Sequence, residues 1–311
     1  MSAIKLAYVG ANVADLTSWK RYATEILGFE ISADSSERLL YLRADERHHR
    51  ILVHPGGDDD VAYVGWELAH HPALEAVASA LERNGVKVEA GNPNELATRR
   101  VLEMVHFTCP YSGVRMELTV GNETVFNPSF KPTRSLSGLI TGDLGMGHVV
   151  LWASDIHAAA NFYVKALGFG ISDYAVTPDG HPLGAFLHCN PRHHSLAFFG
   201  IPMGPRGKKV QHIMFETNSM DDVGESYDLC LKRKITATSL GRHPNDRALS
   251  FYFRNPSNWL FEYGWQLRTV NPQAWTPEQY VIRPGNAWGQ AGLWQLEQTL
   301  ASGCPRSDDV K

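Results

Sequence analysis

The sequence repeats itself, and this repetition restricts the possible folds more than any other feature. Residues 6–29 read LAYVGANVADLTSWKRYATEILGF, and residues 147–169 read GHVVLWASDIHAAANFYVKALGF. In both, a β-branched run leads through Ala-Asp or Ser-Asp into an amphipathic helix that ends at Leu-Gly-Phe. Asp15 to Leu27 spans twelve residues, and so does Asp155 to Leu167. Three further echoes follow in the same order. Arg47-His48-His49 before an apolar run matches Arg192-His193-His194 before another. The run 61–67, leading to a helix over 72–84, matches the run 210–216, leading to a helix over 220–233. VRMEL at 114–118 matches WLFEY at 259–263.

These echoes place helix N-caps at Asp15 and Asp155 and helix C-caps at Gly28 and Gly168. Each half then reads as a pair of β-α-β-β-β modules, and the chain as an α+β protein of two similar domains. The expected divisions are 1–135 and 136–290, followed by a flexible tail over 291–311. The Pro, Ser and Gly content of 122–142 suits a linker. From Gln273 onward no period is visible, so this stretch is expected to pack on the surface and then fray.

Composition removes several function classes. The chain has 311 residues and a net charge of −4, without the basic stripe of a nucleic-acid or membrane-surface binder. It has no apolar run long enough for a membrane span and no leader-like N-terminus, so the cytoplasm is expected. Its four cysteines, Cys109, Cys189, Cys230 and Cys304, form no C-x-x-C pair and read as ordinary thiols. Fourteen histidines are a high count, and several are adjacent to one another.

Three polar residues of the second half stand in apolar, strand-like runs, where an unpartnered polar group is expensive: His148, His212 and Glu262. A lone strand histidine is more often a satisfied core residue than a ligand. Two imidazoles and a carboxylate together are the facial ligand set of non-haem iron(II) oxygenases, which leaves three coordination positions open. The repeat sharpens the point. The first-half counterparts are Tyr8, Tyr63 and Glu117, so that copy retains only the carboxylate and is expected to be metal-free. A second polar cluster, Gly241 to Asp246, is followed by Ser250-Phe251-Tyr252; from composition alone it reads equally well as a solvated loop.

Taken together, these segments resemble the type I extradiol ring-cleaving dioxygenases of the vicinal oxygen chelate superfamily, which has the glyoxalase–bleomycin resistance fold. The carrying motifs are GMGHVV at 145–150, FLHCNPRHHSLAF at 186–198, QHIMFE at 211–216, SMDDVG at 219–224, LGRHPNDRALSFY at 240–252 and FEYGW at 261–265. The resemblance runs to about Trp288-Gly289. It implies His148, His212 and Glu262 as ligands of Fe(II), with Mn(II) accepted by the same set. It implies His194 as an acid–base residue near the O2 position, His243 as a second histidine lining the pocket, and Tyr252 as a hydrogen-bonding partner of the substrate. Asn245 falls near the substrate and Asp246 behind it, with Val150, Phe186 and Pro284 as apolar pocket positions. Pro244 stands where threonine is common in the family.

The implied reaction is cleavage of a 3-substituted catechol beside its two hydroxyls, with both atoms of O2 inserted. Candidates include 2,3-dihydroxybiphenyl and bicyclic, alkyl- or carboxyl-substituted relatives, in aromatic-compound degradation. The implied partners are the catechol and O2, with no nucleic acid and no membrane, in a homo-oligomer. Two other functions occur on this scaffold: a glyoxalase-like metal-dependent isomerase or lyase, and a non-catalytic small-molecule binder.

Overall fold

A computed structural model describes residues 4–177, 179–200, 207–281 and 288–290. Elements of the first half are β1 (Lys5–Val13), α1 (Leu16–Tyr22), β2 (Glu30–Ile31), β3 (Leu40–Arg43), β4 (Ile51–Pro55), β5 (Asp60–Glu67), α2 (His71–Arg83), β6 (Glu89–Ala90), α3 (Pro93–Arg99), β7 (Glu103–Thr108) and β8 (Arg115–Val120). The second half contains β9 (His148–Ala153), α4 (Ile156–Leu167), β10 (Gly170–Val176), β11 (Pro182–His188), β12 (Leu196–Gly200), β13 (Val210–Glu216), α5 (Met220–Arg233), β14 (Gly241–Arg242), β15 (Leu249–Arg254), β16 (Leu260–Trp265) and β17 (Glu278–Val281). The β-α-β-β-β order therefore occurs four times, as the repeat predicts. Two additions depart from it. Helix α3 lies between β6 and β7. Strand β17 pairs in parallel with β10, from the stretch after Gln273 that carries no sequence period.

The caps form as expected. Asp15 accepts from Ser18 N and Asp155 from Ala158 N, each at 2.9 Å. Gly28 and Gly168 adopt φ of 75° and 73°, left-handed values that a Cβ would strain. After α1 the chain continues through a π-helical turn, Ala23–Leu27, before Gly28 stops it. The segment before β9 is strapped down: Arg134 Nε donates to Ile26 O at 2.8 Å and Arg134 Nη2 to Ser226 Oγ at 2.7 Å.

Each half forms one sheet. The orders are β2-β3-β4-β1-β5-β8-β7-β6 and β14-β15-β16-β13-β9-β12-β11-β10-β17. Within a strand, alternate side chains point to opposite faces. Val149, Leu151, Ile213, Phe215, Phe261 and Tyr263 enter one large apolar core shared with the first half. There the rings of Phe29 and Phe215 meet at 4.9 Å and those of Trp19 and Trp259 at 5.5 Å. The residues between them in sequence, including His148, Val150, His212 and Glu262, face the other way.

Candidate active site

Register, not sequence proximity, assembles the site. In the antiparallel β9–β13 pair, His148 lies opposite Met214 and Val150 opposite His212. In the parallel β13–β16 pair, Met214 lies opposite Glu262, and in β15–β16 Glu262 lies opposite Tyr252. The first half has the same register: Gly10 opposite Tyr63, and Gly65 opposite both Tyr8 and Glu117. The equivalences Tyr8–His148, Tyr63–His212 and Glu117–Glu262 thus hold strand for strand.

The three polar residues converge. His148 Nε2 is 2.9 Å from His212 Nε2, and Glu262 Oε2 lies 3.4 Å from the first and 3.2 Å from the second. All three side chains are buried. Ligand atoms about 2.1 Å from one ion and at right angles stand about 3 Å apart, which matches these edges. The donor chemistry agrees. Burial opposes ionisation of Glu262, but hydrogen bonds from His148, His212 and His243 outweigh it and hold its carboxyl well below the carboxylate range. Burial lowers His212 to about 4 despite the opposing pull of Glu262. Glu262 is thus ionised and His212 neutral, the forms in which a carboxylate and an imidazole bind a metal cation. Gln211 Oε1 contacts His212 Nδ1 and turns its Nε2 toward the others. Among the described residues, this is the group of histidine, cysteine and acidic side chains able to hold a metal ion.

The remaining expected residues fall into two groups. His194 stacks on His148, with ring centroids 4.0 Å apart, and Phe186 meets His194 edge-on at 4.9 Å. His243 Nε2 lies 2.9 Å from Tyr252 Oη and 3.3 Å from Glu262 Oε1. Val150, Trp152, Ala197, Phe199, Tyr252 and Leu260 make a small apolar cluster on this face, with Phe186 against it. In the loop between β14 and β15, Asn245 accepts through its backbone O from Arg268 Nη1 at 3.2 Å, and Asp246 Oδ1 accepts from Ala248 N at 3.0 Å. Pro284 lies outside the described residues.

Other residues belong to the site's surroundings although nothing in the sequence singles them out as functional. Asp173 and His193 are fully buried, with His193 Nε2 2.6 Å from Asp173 Oδ2. Gln290 Nε2 donates to Ser250 Oγ at 3.0 Å and lies 3.2 Å from His243 Nε2. Arg192 and Glu216 form a buried ion pair at 2.7 Å, which the Arg47–Glu67 pair repeats at 2.7 Å in the first half. The paired Arg-His-His echo is the one available signal for Arg192 and His193. Nothing local marks Gln290, which reaches the site from a late stretch of chain lying beside β14.

Burial also lowers His194 well below its ordinary value, with the neighbouring His148 and His193 adding to the effect. A neutral ring beside the triad can accept a proton.

Comparison with known proteins places the chain among related sequences and structures. A family described as the Glyoxalase/Bleomycin resistance protein/Dioxygenase superfamily matches residues 145–263, and one described as Dihydroxybiphenyl dioxygenase BphC D1 matches residues 6–56. A 1,2-dihydroxynaphthalene dioxygenase of Sphingobium xenophagum is 39% identical over 88% of this chain and 91% of its own. A 3-methylcatechol 2,3-dioxygenase of Pseudomonas putida is 39% identical over 90% of this chain and 95% of its own. A crystal structure of a catechol 2,3-dioxygenase superposes with a TM-score of 0.85 at 34% identity, covering 94% of this chain and 96% of that one.

Proposed function

The chain belongs to the extradiol dioxygenases of the Glyoxalase/Bleomycin resistance protein/Dioxygenase superfamily, and from that premise we propose how its own residues cleave a substituted catechol. The reaction is extradiol cleavage: a ring bond beside the two hydroxyls is broken and both atoms of O2 are incorporated. The observation that carries the residue assignment is the triangle of His148 Nε2, His212 Nε2 and Glu262 Oε2. These residues would hold one divalent ion, taken as Fe(II), with Mn(II) accepted by the same donors. When bound, that ion supplies adjacent open positions for a catechol and O2 and a path for electrons between them.

The protein side chains handle protons and orientation. Tyr252 and His243, in contact at 2.9 Å, stand on the Glu262 side and hydrogen-bond the substrate hydroxyls. His194 lies over His148 on the opposite side; as a neutral ring it accepts a proton from the reacting system and returns it later. Val150, Phe186 and Ala197 give the ring an apolar bed and exclude water. Asn245 and Asp246 hold the loop that presents His243. The first half, residues 1–135, acts as scaffold to the catalytic half, 136–290.

The two relatives, equally identical to this chain, carry names that specify a bicyclic and a methyl-substituted catechol. Overall similarity therefore does not rank these substituents. Aerobic assay of the Fe(II)-loaded protein with 2,3-dihydroxybiphenyl, 1,2-dihydroxynaphthalene and 3-methylcatechol tests the reading. Yellow ring-opened product from at least one is the expected result, and kcat/KM across the panel ranks the substituent. No product from any of them, at full metal loading, would overturn it.

A further inference from the structure

Gln290 is buried, and it belongs to a short stretch, Trp288-Gly289-Gln290, that comes after the rest of the catalytic sheet in sequence. Backbone bonds lay that stretch along β14. Arg242 N donates to Trp288 O at 2.9 Å, and Gln290 N donates to Leu240 O at 3.0 Å. The two backbones approach closely because glycines face each other. A Cβ on Gly241 would stand 2.3 Å from Gln290 N, and one on Gly289, which has φ of 74°, would stand 2.1 Å from Leu240 O. Gln290 itself adopts φ of 50°, a left-handed value that is strained for a residue with a Cβ. The first half has no such addition. Among the described residues, its sheet ends at β6, the counterpart of β14, with no bridge on the outer side.

The side chain is what this docking delivers. One end of the Gln290 carboxamide meets Ser250 Oγ at 3.0 Å and His243 Nε2 at 3.2 Å. The other end is buried and has no hydrogen-bond partner. Either end of a carboxamide can meet a serine hydroxyl, which donates and accepts, and either way one end stays unpaired. A buried polar atom without a partner is unfavourable, so a residue needed only to fill this space would be apolar. Ser250 is no better as filler: register places Met104 at its position in the first half. Both polar residues converge instead on His243. Its Nε2 is bracketed by side chains from either side of β14, Tyr252 Oη of β15 at 2.9 Å and the Gln290 carboxamide of the docked stretch.

We propose that Gln290 is a positioning residue that holds the His243 ring against Tyr252, in the pose that hydrogen-bonds the substrate. This rests on His243 being a substrate-binding residue of the proposed reaction. Q290M keeps length and bulk and removes both hydrogen bonds, whereas S250A removes only the anchor of the carboxamide. In iron-loaded protein, Q290M is expected to raise KM for the preferred catechol about tenfold, the loss of roughly one hydrogen bond. Because that binding is shared by ground and transition states, kcat should stay within about threefold, with iron at the wild-type level. S250A should raise KM in the same direction, and Q290M/S250A no further than Q290M alone. Unchanged KM in both single variants would overturn the proposal. So would a loss of iron in step with the rise in KM, which would make Gln290 a support of the metal site. Crystals of metal-free, full-length Q290M give a readout that needs neither metal nor substrate. There His243 Nε2 is expected to lie more than about 3.5 Å from Tyr252 Oη, and a retained wild-type contact would overturn the proposal. Where the wild-type protein cleaves no catechol, the proposed reaction fails, and these crystals alone decide the role of Gln290.

Discussion

Arg99 grips Glu117 with two hydrogen bonds, Nε to Oε2 at 3.1 Å and Nη2 to Oε1 at 2.9 Å, at the position corresponding to Glu262 in the other half. Tyr8 Oη donates to the same carboxylate at 2.8 Å, and the guanidinium lies 3.9 Å from the centre of the Tyr63 ring. Where the second half turns two imidazoles and a carboxylate toward one point, the first half supplies its own cation. The carboxylate has stayed, and a guanidinium now compensates its charge.

This predicts a stability cost for R99M. Removing one partner of a buried ion pair strands the other charge, at about 3 kcal/mol or more. Urea denaturation of the purified variant should show that loss, with wild-type metal content. A loss below about 1 kcal/mol, the range of exposed pairs, would mean that Tyr8 and Arg115 satisfy Glu117 without it.

The tyrosines fit only because glycines face them. A Cβ added at Gly10 would lie 2.0 Å from the Tyr63 ring, and one at Gly65 would lie 2.3 Å from the Tyr8 ring. The second half has Val150 and Met214 at these points. G10A is expected to destabilise the chain by about 1–3 kcal/mol through overpacking. The same change in a Y63A background should cost clearly less. A thermal-unfolding double-mutant cycle measures the coupling, and simple additivity would sink the explanation.

Two substitutions in the second half should separate metal binding from proton handling. E262Q removes the anionic ligand, and elemental analysis of the purified variant should find little iron. H194Q leaves all three donors intact, so iron content should stay at the wild-type level while kcat falls about 10²–10⁴-fold. Full iron in E262Q would contradict the ligand role of Glu262, and near-normal turnover in iron-loaded H194Q would contradict the proton-transfer role of His194.

Acid should weaken the metal-free protein through His54 and His188. Burial lowers both from 6.5 to about 4; Arg99 adds to it at His54, where Glu117 opposes, and His193 adds to it at His188. Between those pH values the unfolded chain binds protons that the folded chain refuses. Stability is therefore retained above pH 6.5 and declines as pH falls toward about 4. Denaturation midpoints across this window should drop more in wild type than in H54Q/H188Q. Parallel curves would rule out both residues as the source of the acid sensitivity.

Much of the architecture is legible in the chain because it is local and occurs twice. Caps, strand alternation and helix length depend on nearest neighbours, so the echo of Asp15 in Asp155 and of Gly28 in Gly168 carries through to the structure. The convergence of His148, His212 and Glu262 is legible for a different reason. Substitution by Tyr8 and Tyr63 in the other copy exposes His148 and His212 as residues that the scaffold does not require. Strand β17 is not legible, because its partner β10 lies about a hundred residues away and its own side chains carry no alternation.

Sequence by itself determined the duplicated β-α-β-β-β order, the half that bears the two histidines, and the residues to be compared between halves. Only the tertiary structure decided what each of those residues touches. His148, His212 and Glu262 meet because register across β9, β13 and β16 sets three distant strands side by side. Arg99 reaches Glu117, and Asp173 reaches His193, by the same kind of non-local packing. Hydrogen bonds and charges act over a few ångströms, whereas His148 and His212 alone are separated by 64 residues of chain.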